Sequence, residues 1–303
     1  MRIGTRRSAL ALAQAQLAAD LLSQRAQVDC EIVPIATRGD RGAGAADKSR
    51  WVAELEQALL DGEIDLAVHS AKDVPGELAG GLALHGCPAR AAAADALCGA
   101  LSLEALPAGS RVGTSSLRRA AQLRAARPDL DVVAVRGNVD TRLRKLADPA
   151  EGLDAIVLAR AGLERLDRTA EIGAELSLER FVPAPGQGII VLEGRAGDEA
   201  AQQAAAAVTE PRDFACLLAE RALAQGLGAS CHTPLGAHAA LDGDGQLALR
   251  AWVGLPDGSA WASDELTGEL ERPAALGREV AARLGLAGGA ALLEQAERMA
   301  APA

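Results

Sequence analysis

Ile64-Asp65-Leu66-Ala67-Val68-His69-Ser70-Ala71-Lys72-Asp73-Val74-Pro75 is an apolar strand that runs into a polar turn. The residues before it set its context. Arg2 to Thr5 reads as a short strand. Ser8 is placed to cap a helix over Ala9 to Arg25, with Leu at 10, 12, 17, 21 and 22 in helical register. Cys30 to Ile35 is β-branched and strand-like, and Trp51 to Leu60 is helical. Between them Asp40 to Ser49 has the Gly/Ala/Asp composition of a loop. Strand, helix and strand in alternation predict βαβ units and a largely parallel sheet.

A second cycle follows. Asp95 to Cys98 and Arg111 to Gly113 read as strands, Ser116 to Arg127 as a helix ended by Pro128, and Val132 to Val135 as a strand. Val139 to Leu146 is helical, Ala155 to Ala159 a strand, and Gly162 to Leu166 opens a helix. Ile189 to Leu192 is another apolar strand, free by its residues to join either sheet. From about Glu210 the pattern changes. A helix over Asp213 to Gln225 precedes strands separated by Asp242-Gly243-Asp244-Gly245 and Pro256-Asp257-Gly258. Such turns punctuate hairpins, so the sheet there is antiparallel. Helices over Ala274 to Arg283 and Gly289 to Met299 complete an α+β unit.

The composition limits what such a molecule does. The chain has 303 residues, 49% of them apolar and 24% charged, which is enough for more than one core. A net charge of −10 and only 2% aromatics disfavour nucleic acid and anionic membranes as partners. The five cysteines are scattered without a CxxC pair, so neither a disulfide framework nor a metal site is expected. Without a secretory leader or a bilayer-length apolar run, a cytoplasmic protein is expected. One segment runs against the acidic balance. Between Arg111 and Arg144 stand eight arginines, three aspartates and no glutamate, which points to an anionic ligand.

Gly113-Thr114-Ser115-Ser116-Leu117-Arg118-Arg119 brings a strand end, hydroxyls and a helix N-terminus together. That is the makings of an anion site, and equally of a capped helix with surface arginines. Arginines in a first turn oppose the helix dipole unless an anion lies between them. Val135-Arg136-Gly137-Asn138-Val139-Asp140-Thr141-Arg142 puts further guanidinium groups at a strand end, where open α/β sheets bind ligands. Converging arginines suit a polycarboxylate. At the end of the opening strand, Lys72-Asp73 is either an ion pair or a site carboxylate with its orienting cation. His69 is either a packed strand-end residue or a catalyst. Cys231, in Gly228-Ala229-Ser230-Cys231-His232-Thr233-Pro234, lies in a small-residue loop rather than on an apolar stripe, as a nucleophilic or modified thiol would. Pro183-Ala184-Pro185-Gly186-Gln187-Gly188 reads as a hinge.

Together these strings resemble the hydroxymethylbilane synthase (porphobilinogen deaminase) family. They are Thr37-Arg38-Gly39-Asp40, Ala67 to Ser70 with Lys72 to Pro75, Val112 to Arg119, Arg136 to Val139 with Thr141 to Leu143, Pro185 to Gly188, and Cys231 with Pro234-Leu235-Gly236. They occur in the family's order over nearly the whole chain.

The resemblance implies an α/β fold with two periplasmic-binding-protein-like domains forming a bilobal pair. Their sheets are mixed but mainly parallel, and a smaller α+β C-terminal domain carries an antiparallel sheet. The implied division is 1–88 with 189–207, then 93–183, then 210–303. It implies condensation of four porphobilinogens on a dipyrromethane cofactor held by a thioether at Cys231, then hydrolysis to the linear product. The chemistry passes through electrophilic, cationic pyrrole species, which a fixed carboxylate stabilises. Asp73 matches that carboxylate, with Lys72 beside it. Cofactor contacts fall on Arg118, Arg119, Lys72, Asp73, Ser70, Thr114 and Ser116. Substrate contacts fall on Arg6, Arg136, Arg142, Arg165 and Gln187. No metal is implied, and a cytoplasmic monomer is expected. The alternative is a non-catalytic, two-lobed binder of a small polycarboxylate. The loop over Arg41 to Arg50 departs from the family pattern: it is short, lacks the usual Gly-Gly, and leads into Trp51 where Phe is common. His232-Thr233 stands where Gln-Val is common.

Overall fold

The computed structural model describes residues 1–36, 49–229 and 233–300. Strand β1 (Arg2–Arg6) leads into α1 (Ala9–Arg25), whose first turn is capped by Ser8: its Oγ accepts the Ala11 N–H at 3.3 Å. Then come β2 (Glu31–Ile35), α2 (Ser49–Leu60), β3 (Leu66–Ser70), a single 3-10 turn over Ala71–Asp73, and β4 (Leu82–Gly86). The second unit holds β5 (Asp95–Cys98), β6 (Arg111–Gly113), α3 (Leu117–Ala126), β7 (Asp131–Val133), α4 (Val139–Ala147), β8 (Ala155–Ala159), α5 (Arg160–Glu164) and β9 (Ala174–Glu175). The chain returns through β10 (Ile190–Arg195) and α6 (Glu199–Val208). The last unit is α7 (Pro211–Gly226), β11 (Leu235–Leu241), β12 (Leu247–Gly254), β13 (Trp261–Gly268), α8 (Pro273–Leu286) and α9 (Gly289–Ala300). Among the described residues no helix is long and apolar enough to cross a membrane.

The first two units share one topology. The first sheet has the order β2-β1-β3-β10-β4 and the second β7-β6-β8-β5-β9. In each, three parallel strands are followed by one antiparallel strand, and that strand arrives from the other unit. So β10, which the residues alone leave free to join either sheet, lies between β3 and β4. The third sheet is the expected antiparallel meander, β11-β12-β13. The fold is α/β with a smaller α+β unit.

Alternation along β3 explains how both of its faces are filled. Leu66 and Val68 pack with Leu22 of α1 and Ala204 of α6, while Ala67 packs with Leu55 and Leu59 of α2. β4, β9 and α6 are elements that apolar periodicity does not announce. β9 is two residues long, and α6 is mostly alanine and glutamine, so its buried face of Ala201, Ala204, Ala205 and Val208 contrasts little with the rest.

Two crossover segments, residues 87–94 and 181–189, connect the first two units and run against each other. The Ala91 N–H donates to the Gly188 carbonyl at 3.2 Å, and Arg90 Nε donates to the Gln187 carbonyl at 2.9 Å. Gly188 is glycine for two reasons: its φ is +89°, and a Cβ would lie 2.4 Å from the Ala91 oxygen. The third unit grips this junction through Glu220 of α7, which is fully buried. Its carboxylate accepts from Arg90 Nη1 at 2.6 Å, the Gly186 N–H at 2.6 Å and the Ala239 N–H at 2.7 Å. Asp213 of the same helix accepts the Arg90 N–H at 2.7 Å.

Removing one member of a buried, hydrogen-bonded ion pair leaves the other charge stranded. Arg90→Leu is therefore expected to lose about 3–5 kcal/mol of stability in urea unfolding at neutral pH. A loss below about 1 kcal/mol, the range of a surface pair, would show that the junction does not hold the units together.

Candidate active site

Arg6, Ser70, Lys72, Asp73, Thr114 and Ser116 lie where parallel strands of the two sheets end. β1 ends at Arg6, which is half-buried, and the neighbouring β3 ends at Ser70. The Ser70 hydroxyl is engaged by the buried Gln14 amide of α1, at 2.9 and 3.1 Å. The next turn carries Lys72 and Asp73, both half-buried, and is anchored by the Ala71 N–H to the Ile189 carbonyl at 2.9 Å. Lys72 Nζ donates to Gln187 Oε1 at 3.5 Å. His69 belongs to the other face of β3. It is buried, with Nε2 2.9 Å from Glu193 Oε2 of β10, and is packed rather than presented at the strand end.

At the second sheet, β6 ends in Thr114, Ser115 and Ser116. Thr114 Oγ1 accepts the Ser116 N–H at 3.2 Å, and Ser116 Oγ caps α3 by accepting the Arg119 N–H at 3.4 Å. Arg118 and Arg119 do face an anion, and it comes from the protein. Asp95, which opens β5 and is 1% exposed, accepts from Arg118 Nη2 at 2.9 Å and from Arg119 Nη2 and Nε at 2.7 and 3.0 Å. Burial alone would raise the Asp95 carboxyl, but the two guanidinium groups and Gln187 hold it well below the usual carboxylate range. Two charges against one leave the pair net cationic. Arg118 Nε is also buried with no hydrogen-bond partner among the described residues.

Gln187 is fully buried. Its Nε2 donates to the Ala93 carbonyl at 2.6 Å and to Asp95 Oδ1 at 2.8 Å, while its Oε1 accepts from Lys72 and from Arg119 Nη2, the latter at 3.3 Å. One amide from the crossover thus touches a cation of each lobe.

Arg136 is exposed after β7. Asn138 caps α4, and Arg142 in its first turns donates Nε to the Gly137 carbonyl at 2.7 Å. Burial, and after it Arg119, lower the Arg142 guanidinium while Asp73 raises it, which leaves the group at about 10. It stays charged at neutral pH. It also stands within electrostatic reach of Arg119 in its own lobe and Asp73 in the other, so these residues converge on one cleft. Burial likewise brings Arg165 to about 10, and its Nη2 donates to the Gly188 carbonyl at 2.6 Å. The named site residues comprise seven cations (Arg6, Lys72, Arg118, Arg119, Arg136, Arg142, Arg165) against Asp73 and Asp95. Such a donor set fits a ligand rich in carboxylates.

Cys231 and His232 lie outside the described residues, as do Thr37-Arg38-Gly39-Asp40 and the loop over 41–48. Asp95, Arg90, Glu220 and Gln14 are not found by motif reading. The available signal was an acidic residue in an apolar setting: Asp95 opens Asp-Ala-Leu-Cys, and Glu220 interrupts Leu-Leu-Ala-Glu-Arg-Ala-Leu-Ala.

The chain matches the family described as "Porphobilinogen deaminase, dipyromethane cofactor binding domain" over residues 1–203. It matches "Porphobilinogen deaminase, C-terminal domain" over residues 214–285. It is 45% identical to the porphobilinogen deaminase of Xanthomonas euvesicatoria pv. vesicatoria, over 97% of this chain and 99% of that protein. With the porphobilinogen deaminase of Thermus thermophilus it shares 43% identity over 97% and 98%. Among solved structures, a periplasmic substrate-binding protein of an ABC transporter from Coxiella burnetii overlays with a TM-score of 0.45 and 14% identity, covering 70% of this chain and 92% of that one.

The Asp95 carboxyl is depressed in the folded state. Its stabilising effect is therefore fully present above the ordinary value of 3.8 and is lost as pH falls through the folded value. Asp95→Asn is expected to be about 3–5 kcal/mol less stable than the parent at pH 7, with the gap narrowing below about pH 4. Thermal unfolding of both proteins from pH 3 to 7 checks this, and a gap independent of pH would contradict it.

Proposed function

Because the chain belongs to the porphobilinogen deaminase family, we propose that its cleft joins four porphobilinogens head to tail, releasing four ammonias, before water frees the linear hydroxymethylbilane. The observation that carries this reading is the convergence of Arg119, Arg142 and Asp73 from two lobes on one place. The non-catalytic binding alternative is not favoured, since relatives matching over nearly the whole length are named for a deaminase.

The family's cofactor is a dipyrromethane, and the residues fit one: a net cationic donor set, and a buried Arg118 Nε with no hydrogen-bond partner among the described residues, suit its carboxylates. When bound, it supplies the nucleophilic pyrrole carbon to which the first substrate is joined. We assign its thioether to Cys231, and its carboxylate contacts to Arg118, Arg119, Lys72, Ser70, Thr114 and Ser116. Arg118 reaches Asp95 through Nη2 and Arg119 through Nε and Nη2, so the two are held as a preorganised cationic wall. Arg6, Arg136, Arg142 and Arg165 take the acetate and propionate groups of the substrate. The Arg142 and Arg165 guanidinium groups, near 10, remain charged throughout, so their binding does not depend on proton uptake at neutral pH. Gln187, with its amide fully engaged, serves the substrate through Lys72 and Arg119.

Asp73 has the remaining task. Loss of ammonia leaves positive charge on the substrate's pyrrole ring, and a carboxylate beside the ring N–H stabilises that charge and takes up or returns the proton. The 3-10 turn fixes Asp73 at the strand end, and Arg142 opposes it across the cleft. The units 1–88 with 189–207, 93–183 and 210–303 then move about the paired crossovers as the bound chain lengthens. We take the working form to be a cytoplasmic monomer with no nucleic-acid or membrane partner.

Asp73→Asn is expected to keep the fold and a normal cofactor mass while turnover falls about a hundredfold or more. Steady-state assay with porphobilinogen, beside the intact mass, checks it. Near-normal turnover would overturn the role given to Asp73.

A further inference from the structure

Glu193 of β10 is fully buried. His69 Nε2 of β3 stands 2.9 Å from its Oε2, and its Oε1 is buried with no hydrogen-bond partner among the described residues. A buried carboxylate so sparsely met costs free energy, and an apolar side chain of similar volume in such a place is often neutral or stabilising. Stability alone therefore does not account for Glu193. What a carboxylate supplies and an apolar side chain cannot is a negative charge at one point beneath the sheet.

Four side chains from four elements lie within reach of that charge: His69 of β3, Glu56 of α2, His85 of β4 and Arg221 of α7. Glu56 Oε1 accepts the Ala79 N–H at 3.2 Å, and His85 Nε2 lies 3.1 Å from the Arg195 carbonyl. Arg221 is the one guanidinium of the four, and it comes from the third unit. Alternation puts Glu193 on the same face of β10 as Val191, which packs with Leu217 of α7. Arg221 follows Leu217 by one helical turn, so it continues along that face toward Glu193. Burial lowers the Arg221 guanidinium, and Glu193 opposes that shift.

The same guanidinium holds the chain just after Asp73. Its Nη2 donates to the Pro75 and Gly76 carbonyls at 2.8 and 2.9 Å, and its Nη1 to the Val74 carbonyl at 3.4 Å. His69 stands at the other end of this segment, immediately before Ser70 and the turn over Ala71–Asp73. Glu193 thus faces one group before the turn and one that grips the chain after it. We propose that Glu193 is a positioning residue for Asp73, fixing the turn through His69 on one side and Arg221 on the other. The proposal rests on the role given to Asp73 in the reaction.

Glu193→Gln keeps the length and shape of the side chain and its reach to His69, and removes the charge that faces Arg221. Steady-state turnover of porphobilinogen and backbone hydrogen–deuterium exchange, both on the full-length protein, test the proposal. In Glu193→Gln, kcat is expected to fall about tenfold with KM changed less than about twofold. Amides between Ala71 and Gly76 should exchange about tenfold faster, while those of β1 and α1 exchange as in the parent. Arg221→Gln should give the same local acceleration, and the double variant should be no worse than the more affected single variant. Parent-like kcat or parent-like exchange over 71–76 in Glu193→Gln, acceleration spread evenly over the first lobe, or additive effects in the double variant would overturn the proposal. If Glu193→Gln does not fold, Arg221→Gln decides: local acceleration supports the proposal and parent-like exchange over 71–76 overturns it. A parent without turnover would contradict the proposed reaction itself, and the exchange comparison would still decide whether Glu193 holds the turn.

Discussion

The buried carboxylate of Glu220 is the constraint on which the arrangement of the units depends. It takes a guanidinium from the outgoing crossover, a backbone N–H from the returning one, and a backbone N–H from β11 of its own unit. A carboxylate withdrawn from water is tolerated only when its lone pairs are met, so these three donors must stay together. Arg221 and Gln225 extend the same helix to the carbonyls of Pro75 and Gly76, immediately after the Lys72-Asp73 turn. The third unit is thereby tied both to the crossovers and to the segment that presents the cleft carboxylate.

Around that anchor the two lobes repeat one strand order, each completed by an antiparallel strand that has just left the other lobe. The crossovers enter the middle of both sheets rather than their edges. Gln187 sits at this point and touches Lys72 on one side and Asp95 with Arg119 on the other. A change in the angle between lobes must alter the setting of the cationic groups, which connects ligand binding to domain movement in a site that has to hold a growing chain.

Much of the fold was legible because the main elements follow simple local rules. Ser8 and α1, the β5, β6 and β8 strands, and the two glycine-marked hairpins of the last sheet fall where cap, alternation and turn chemistry put them. α6 and the two-residue β9 were not legible, since alanine contrasts weakly with its neighbours and a very short strand has no period. For the site, strand ends place Lys72 and Asp73 just after β3 and Arg136 and Arg142 after β7, because chain direction in a parallel sheet decides which end carries ligands. The partners of Arg118 and Arg119 were not legible. A helix start with two arginines calls for an anion, but only the tertiary fold shows that Asp95, more than twenty residues earlier, supplies it. The same holds for Arg90 and Glu220, which are far apart in sequence and meet only once three units are assembled.

The central claim is that a cleft of fixed cations and one carboxylate works on a group carried by Cys231. The most direct measurement is the denatured intact mass of the purified protein beside its Cys231→Ser variant. The account predicts an excess over the sequence mass equal to a dipyrromethane in the parent and none in the variant. An unmodified parent that stays unmodified after incubation with porphobilinogen or preformed hydroxymethylbilane would contradict it.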